Sequence, residues 1–131
     1  MLNRDAILKA QDLRRELVDV PEWGGEVYVR SFTALEREEV EMRSMQMVDI
    51  ATGQIKDARQ MAGLKAWIVS RTVVDSDGRR IFTDADTDGL QGKAAEVIGR
   101  LADKATELSR LSVEDAEKNF GSRQSDNSGT G

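Results

Sequence analysis

Asp84, Asp86 and Asp88 stand two apart in the stretch TDADTDGLQGKAAE, residues 83–96, and Gly89 follows them. Carboxylates at that spacing, with glycine at the sharp turn, are how a twelve-residue EF-hand loop surrounds calcium with oxygen. The motif also needs a bidentate Glu at its twelfth position. Counted from Asp84 that position is Ala95, and Glu96 comes one residue late. A one-residue shift turns a helical side chain by about 100°, so Glu96 would point away from the ion. The eighth position, usually apolar, is Gln91. The second candidate, Asp75–Ser76–Asp77–Gly78, is followed by Arg79 and Arg80, which place positive charge where an oxygen ligand belongs. The alternative is helix-start chemistry: Thr83 or Asp84 caps a short turn, and Asp86 and Asp88 favour its dipole. The expectation is a cap rather than a cation site.

Other chemistry is narrowed by two absences. The chain has no Cys and no His, so thiol nucleophiles, His-based triads and the usual zinc sites are not available to it. No Ser lies in a G-x-S-x-G setting. GLQGKA has two residues between Gly89 and Gly92 where a P-loop needs four, and Ala94 stands where the magnesium-binding hydroxyl belongs. The expectation is a protein that is not an enzyme, with no catalytic, cofactor-binding or metal-binding residue. A net charge of −5 argues against a nucleic-acid partner, because phosphate backbones attract basic faces. No apolar run approaches the ~18–20 residues of a membrane span. The opening MLNRDAILKAQD, with an early Asp and no long apolar stretch, does not read as a signal peptide. The lack of Cys fits a reducing cytosol.

The elements that would position any site can be read in order. With 131 residues, 39% hydrophobic and 33% charged, the chain suits one domain with a real core. Aromatics are 5%, so that core must be mostly aliphatic. Residues 3–12 read as a short helix capped by Asn3, with Ile7, Leu8 and Ala10 near one side. In ELVDVPEWGGEVYVRSF, Val18 and Val20 alternate with Asp19, and Val27 and Val29 alternate with Tyr28 and Arg30. That period of two predicts a hairpin over about 16–31, turning at Pro21 and Gly24–Gly25 and packing its valine face on helices. Thr33 and Glu36 form a T-x-x-E capping box that starts a helix running to about Met47. A helix from about Ala58 to Arg71 carries Met61, Leu64 and Ile68 at helical spacing, with Trp67 beside them. TVVDSDGRRIF predicts a second, very short hairpin around Ser76–Asp77–Gly78. The last long helix places Ala94, Val97, Ile98, Leu101, Ala105 and Leu108 on one stripe, and Ser112 caps a final short turn. The expected fold is α+β: a mainly helical domain over 1–118 with an N-terminal β-hairpin, and a disordered, flexible polar tail over 119–131. Its predicted core is Val18, Val20, Val27, Val29, Leu64, Ile68, Val97, Ile98, Leu101 and Leu108.

Three segments carry a family resemblance. VDVPEWGGEVYVRSFTALERE is the most specific: a hairpin closed by Pro-Glu-Trp-Gly-Gly, an Arg after the second strand, then a capped helix opening with Glu-Arg. VVDSDGRRIFTDADTDGLQGKAAEVIGRL is the second, and LSRLSVEDAEKN is the third. In pattern and order these resemble the tail assembly chaperones of long-tailed bacteriophages with flexible, non-contractile tails. The resemblance implies a non-catalytic protein of the host-cell cytoplasm, absent from the mature virion. Its implied partners are the tape-measure protein, which it keeps soluble, and the tail tube protein, whose assembly it promotes; a homo-oligomer is a further expectation. A different class stays open: a structural phage component, such as a connector or minor tail protein, retained in the particle.

A chaperone for a long apolar helix needs an adaptable apolar surface. Met42, Met45 and Met47 crowd one charged helix, and methionine's unbranched, polarizable chain repacks against varied partners. At helical spacing methionine is also ordinary core filler, and both readings stand. Trp23, at a glycine turn, either covers the end of the hairpin or anchors a partner. These four are the candidate partner-binding residues. Calcium titration checks the register at Asp84. Isothermal titration with calcium should show no saturable low-micromolar site, and a tight stoichiometric site lost in Asp84→Ala would overturn the capping assignment.

Overall fold

The structure, a computed structural model, describes residues 1–46 and 63–110, with the side chains of Met45 and Gln46 excepted. The fold is α+β. Helix α1 (Arg4–Lys9) leads into strands β1 (Arg15–Val20) and β2 (Gly25–Arg30), then helix α2 (Ala34–Gln46). Helix α3 (Leu64–Thr72) runs straight into strand β3 (Val73–Val74), followed by the short helix α4 (Thr87–Gln91) and helix α5 over residues 95–110. The strands form one antiparallel sheet in the order β1-β2-β3.

The hairpin forms because its valines can be buried together only on one face. Val18 lies opposite Val27 and Glu16 opposite Val29, so Val18, Val20, Val27 and Val29 all project to the helices, where they join the core. Pro21–Trp23 makes a 3-10 turn that ends at Gly24, whose φ of 80° is the left-handed region glycine adopts freely. The second hairpin also forms, around Gly78. Its first strand, β3, pairs Tyr28 with Val74 and Val29 with Val73, which makes one sheet of the two expected hairpins.

Helix α3 is the centre of the molecule. Ala66 through Ser70 and Thr72 are buried, as befits a helix covered on nearly every side. Its hydroxyls are satisfied within the helix: Ser70 donates to the Trp67 carbonyl at 2.6 Å and Thr72 to the Ile68 carbonyl at 2.8 Å. Among the described residues no buried side-chain nitrogen or oxygen lacks a partner. The expected start near Ala58 is corrected. Gly63, at φ 93°, is the N-cap, so this helix begins at Leu64. A Cβ at Gly63 would also run into the Gln91 side chain. Residues 58–62, Met61 among them, lie outside the described residues.

Helix α5 supplies Val97, Ile98, Leu101, Ala105 and Leu108 to the core, on the expected stripe. It crosses the inner face of the hairpin, and its contacts mark the path: Arg100 to Glu22, Lys104 to Glu16, and Ser109 Oγ accepting from Phe32 N at 3.0 Å. Of the ten predicted core residues eight are buried, while Val27 and Leu64 are partly buried against the same cluster. Helix α1 forms with Asn3 accepting from Ala6 N at 2.9 Å. Its Ile7 and Leu8 stay exposed, outside the core. Ser112 and the expected tail at 119–131 lie outside the described residues.

Leu101 is fully buried, so Leu101→Ala should cost about 2–5 kcal/mol in urea unfolding. A loss below about 0.5 kcal/mol is what a surface position would give, and it would contradict this packing.

Candidate functional site: an exposed helix face and a pinned turn

The seven residues from Arg30 to Glu36 fix where α2 goes. Arg30 sits at the end of β2 with a side chain only 11% exposed, and it meets a Glu36 carboxylate that is 13% exposed. The pair is bidentate, Nη1 to Oε1 at 2.7 Å and Nη2 to Oε2 at 2.9 Å, and Nη1 also donates to the Ser31 carbonyl. Glu36 closes the expected capping box as well. Its Oε1 accepts from Thr33 N at 3.0 Å, and Glu36 N donates to Thr33 Oγ1 at 3.2 Å. Burial acts to raise the Glu36 pKa, but the hydrogen bonds and charge of Arg30 and the Thr33 N–H outweigh it and hold the carboxyl below its ordinary 4.5.

Further along α2, Val40 packs on the core and the Arg43 guanidinium lies 5.0 Å from the centre of the Trp67 ring. Arg71 stacks on the same ring at 4.3 Å. Glu36, Val40 and Arg43 follow steps of four and three, so one stripe of the helix is anchored. About 100° round the helix lies another stripe. On it stand Leu35, 64% exposed, and Met42, 60% exposed, seven residues apart and therefore aligned. Met42 is thus not core filler. The side chain of Met45, and Met47 entirely, lie outside the described residues. Leu35 is not among the candidates that the sequence suggests. Its signal is the seven-residue spacing to Met42, obscured because it sits inside the charged run ALEREEVEMR.

Trp23 lies elsewhere, in the 3-10 turn between β1 and β2, and is 37% exposed. Its neighbour Glu22 receives two hydrogen bonds from Arg100, at 2.9 and 2.6 Å, which pin the turn to α5. The Arg100 hydrogen bonds pull the Glu22 pKa down to about 2. The geometry therefore does not gather the four candidates into one described site: Trp23 and Met42 belong to separate elements.

Two of the three aspartates of the opening motif, Asp84 and Asp86, have side-chain partners. Thr83 and Asp86 make a capping box, with Asp86 Oδ2 accepting from Thr83 N at 2.8 Å. Asp84 accepts from Arg80 at 2.7 Å and lies 3.4 Å from Arg71, a pairing that lowers its pKa. Thr83 is thus the cap, as one of the two expected options had it, while Asp84 pairs with the arginines, which the capping interpretation did not foresee.

What this fold presents, then, is a small framework held by arginine–carboxylate clamps that displays apolar side chains on separate elements. The sequence model described as phage tail assembly chaperone matches residues 2–119, and the chain belongs to that family. Among solved structures, the fold is similar to that of the bacteriophage HK97 tail assembly chaperone. The TM-score is 0.58 at 19% identity, over 79% of this chain and 94% of that one. No curated protein matches the chain. Membership of the family points to a non-catalytic role in phage tail assembly, through interaction with tail proteins. Among the described residues no helix is long and apolar enough to cross a membrane.

A depressed carboxylate pKa contributes stability that is present above the unfolded value and lost as pH falls through the folded one. For Glu36 that loss begins below about pH 4.5. Glu36→Gln should remove this part of the acid sensitivity, leaving what Glu22 and Asp84, both also held below their ordinary values, contribute as pH falls further. It should also cost about 3 kcal/mol at neutral pH, because Arg30 keeps a buried charge without its counter-ion. Urea midpoints of both proteins across that pH range would check it.

Proposed function

We propose that this protein binds the tape-measure protein in the host-cell cytoplasm, keeps it soluble, promotes assembly of the tail tube around it, and is absent from the finished virion. Membership of the tail assembly chaperone family supports the setting. The single observation that supports the binding mode is the Leu35–Met42 stripe, exposed while the adjacent stripe of α2 is anchored. An amphipathic helix recognises such a surface by laying its apolar seam along it, and methionine accommodates varied side chains there. The acidic balance of the chain disfavours self-aggregation while the apolar stripe stays open. Trp23 is proposed as a second, separate anchor, and Met45 and Met47 as further partner-binding residues.

The test is co-expression with the tape-measure protein. Leu35 and Met42 are exposed, so Leu35→Ser/Met42→Ser should leave the fold intact within about 1 kcal/mol. That variant should nevertheless lose solubilisation of the partner and bind it at least tenfold more weakly, since truncations at an interface centre cost about 2 kcal/mol or more. Equal solubilisation by a folded variant would discard this face. Failure of the wild type to bind, or its recovery from purified virions by mass spectrometry, would discard the chaperone reading in favour of a structural component.

A further inference from the structure

Helix α2 carries four glutamates, and three of them are answered by arginines. Glu36 takes both forks of Arg30, Glu41 accepts from Arg37 Nε at 3.2 Å, and Glu39 lies in the attractive field of Arg71 on α3. Glu38 is the exception. It is exposed, and among the described residues it has no ion pair and no side-chain hydrogen bond. At about 100° per residue, Glu38 stands about 60° round the helix from Leu35 and about 40° from Met42. Glu36 and Val40, which anchor the helix, lie on the other flank of that stripe. Leu35, Glu38 and Met42 therefore form one strip facing water, with a single unanswered carboxylate between two large apolar side chains.

The helix itself gives no reason for this carboxylate. Acidic side chains favour a helix start through its dipole, but the effect fades beyond the first turn, and Glu38 is the fifth residue of α2. Its neighbours one turn away are Ala34, Leu35, Glu41 and Met42. At the spacing where helix pairs meet it thus finds no basic partner and one like charge. A lysine there would meet Glu41 instead of repelling it.

We infer that Glu38 is the specificity-determining residue of this face, selecting a partner helix whose seam sets a Lys or Arg between two apolar residues. The inference rests on the docking stripe proposed above and adds the charge that its occupant must carry. The apolar residues of such a helix lie on Leu35 and Met42, and its cation answers Glu38 where the contact excludes water and strengthens the pair. A Lys or Arg suits that place because its stem is apolar, covering the seam while its head reaches the carboxylate. The same carboxylate turns other occupants away. A second copy of α2 laid in register along the stripe, parallel or antiparallel, brings Glu38 against Glu38, and a phosphate backbone meets negative charge. A uniformly apolar helix would bury Glu38 unpaired and bind less tightly for it.

The probes are overlapping peptides of about 25 residues spanning the tape-measure protein, long enough to form a helix on the surface. Titrated against the full chain by fluorescence anisotropy, the tightest binders should share a Lys or Arg with apolar residues three or four positions away on both sides. Glu38→Lys should weaken the tightest of them at least about tenfold, and Glu38→Gln about threefold. Both variants should keep the wild-type circular dichroism, since Glu38 has no partner among the described residues to lose; if Glu38→Lys does not fold, Glu38→Gln decides. Exchanging the signs is the sharper arm. A peptide with its basic residue replaced by Glu should bind wild type poorly and be recovered by Glu38→Lys. Raising salt from about 0.05 to 0.5 M should weaken wild type more than Glu38→Gln. If no peptide binds alone, the same variants are compared with the co-expressed full-length protein. Equal binding by wild type and folded Glu38 variants, or no recovery on exchange, overturns the inference, and the stripe survives if Leu35→Ser/Met42→Ser still weakens binding. Indifference to Leu35→Ser/Met42→Ser discards the stripe and this inference with it. Absence of any binding by wild type overturns both.

Discussion

A buried arginine needs a counter-ion, and in this protein the way Arg30 finds one sets the course of the chain on both sides of it. Desolvating a guanidinium and a carboxylate is costly, and the cost is met only when geometry is good and the remaining donors and acceptors are used. Arg30 and Glu36 meet as parallel forks, and the spare capacity of each goes to the Ser31 carbonyl and the Thr33 N–H. One carboxylate thus ends a strand and begins a helix. Around it Ser31 is tied to Arg14, and Phe32 N to Ser109 on α5. The direction of α2, and hence which stripe of it stays in water, is fixed by this junction.

The same device recurs. Arg100 grips Glu22, Arg71 and Arg80 share Asp84, and Arg43 and Arg71 cover Trp67. With few aromatics and a core of small aliphatics, packing alone would specify orientation weakly. Planar arginine forks, which demand particular angles of approach, supply that specificity. The surface pairs add little stability individually. Their role is to hold turns and helix ends in place against the valine sheet and the buried helix α3.

This economy suits an assembly factor. A protein that displays apolar side chains must keep them from collapsing into its own core, and rigid anchoring of the neighbouring stripe achieves that for Leu35 and Met42. The fold likeness to the HK97 chaperone at 19% identity has the same origin. Alternating valines and a helical stripe can be written in many sequences of similar volume and pattern.

Much of this was legible in one dimension. Period-two valines, the T-x-x-E box, the turn glycines and the α5 stripe are local patterns, and local geometry alone decides their faces. The register count at Asp84 was likewise sufficient to read a cap. What local pattern could not supply was pairing across distance. That β3 would join the first hairpin, that other elements would bury Arg30 and Glu36, and that Gly63 would adopt the left-handed conformation that caps α3 all depend on contacts between segments far apart or on backbone angles. Exposure is the sharpest case. Ile7 and Leu8 read as one apolar side of a short helix, and Met42 read as core filler or as partner surface. Only the packed arrangement decided, because burial is a property of what neighbouring elements cover and not of the side chain itself.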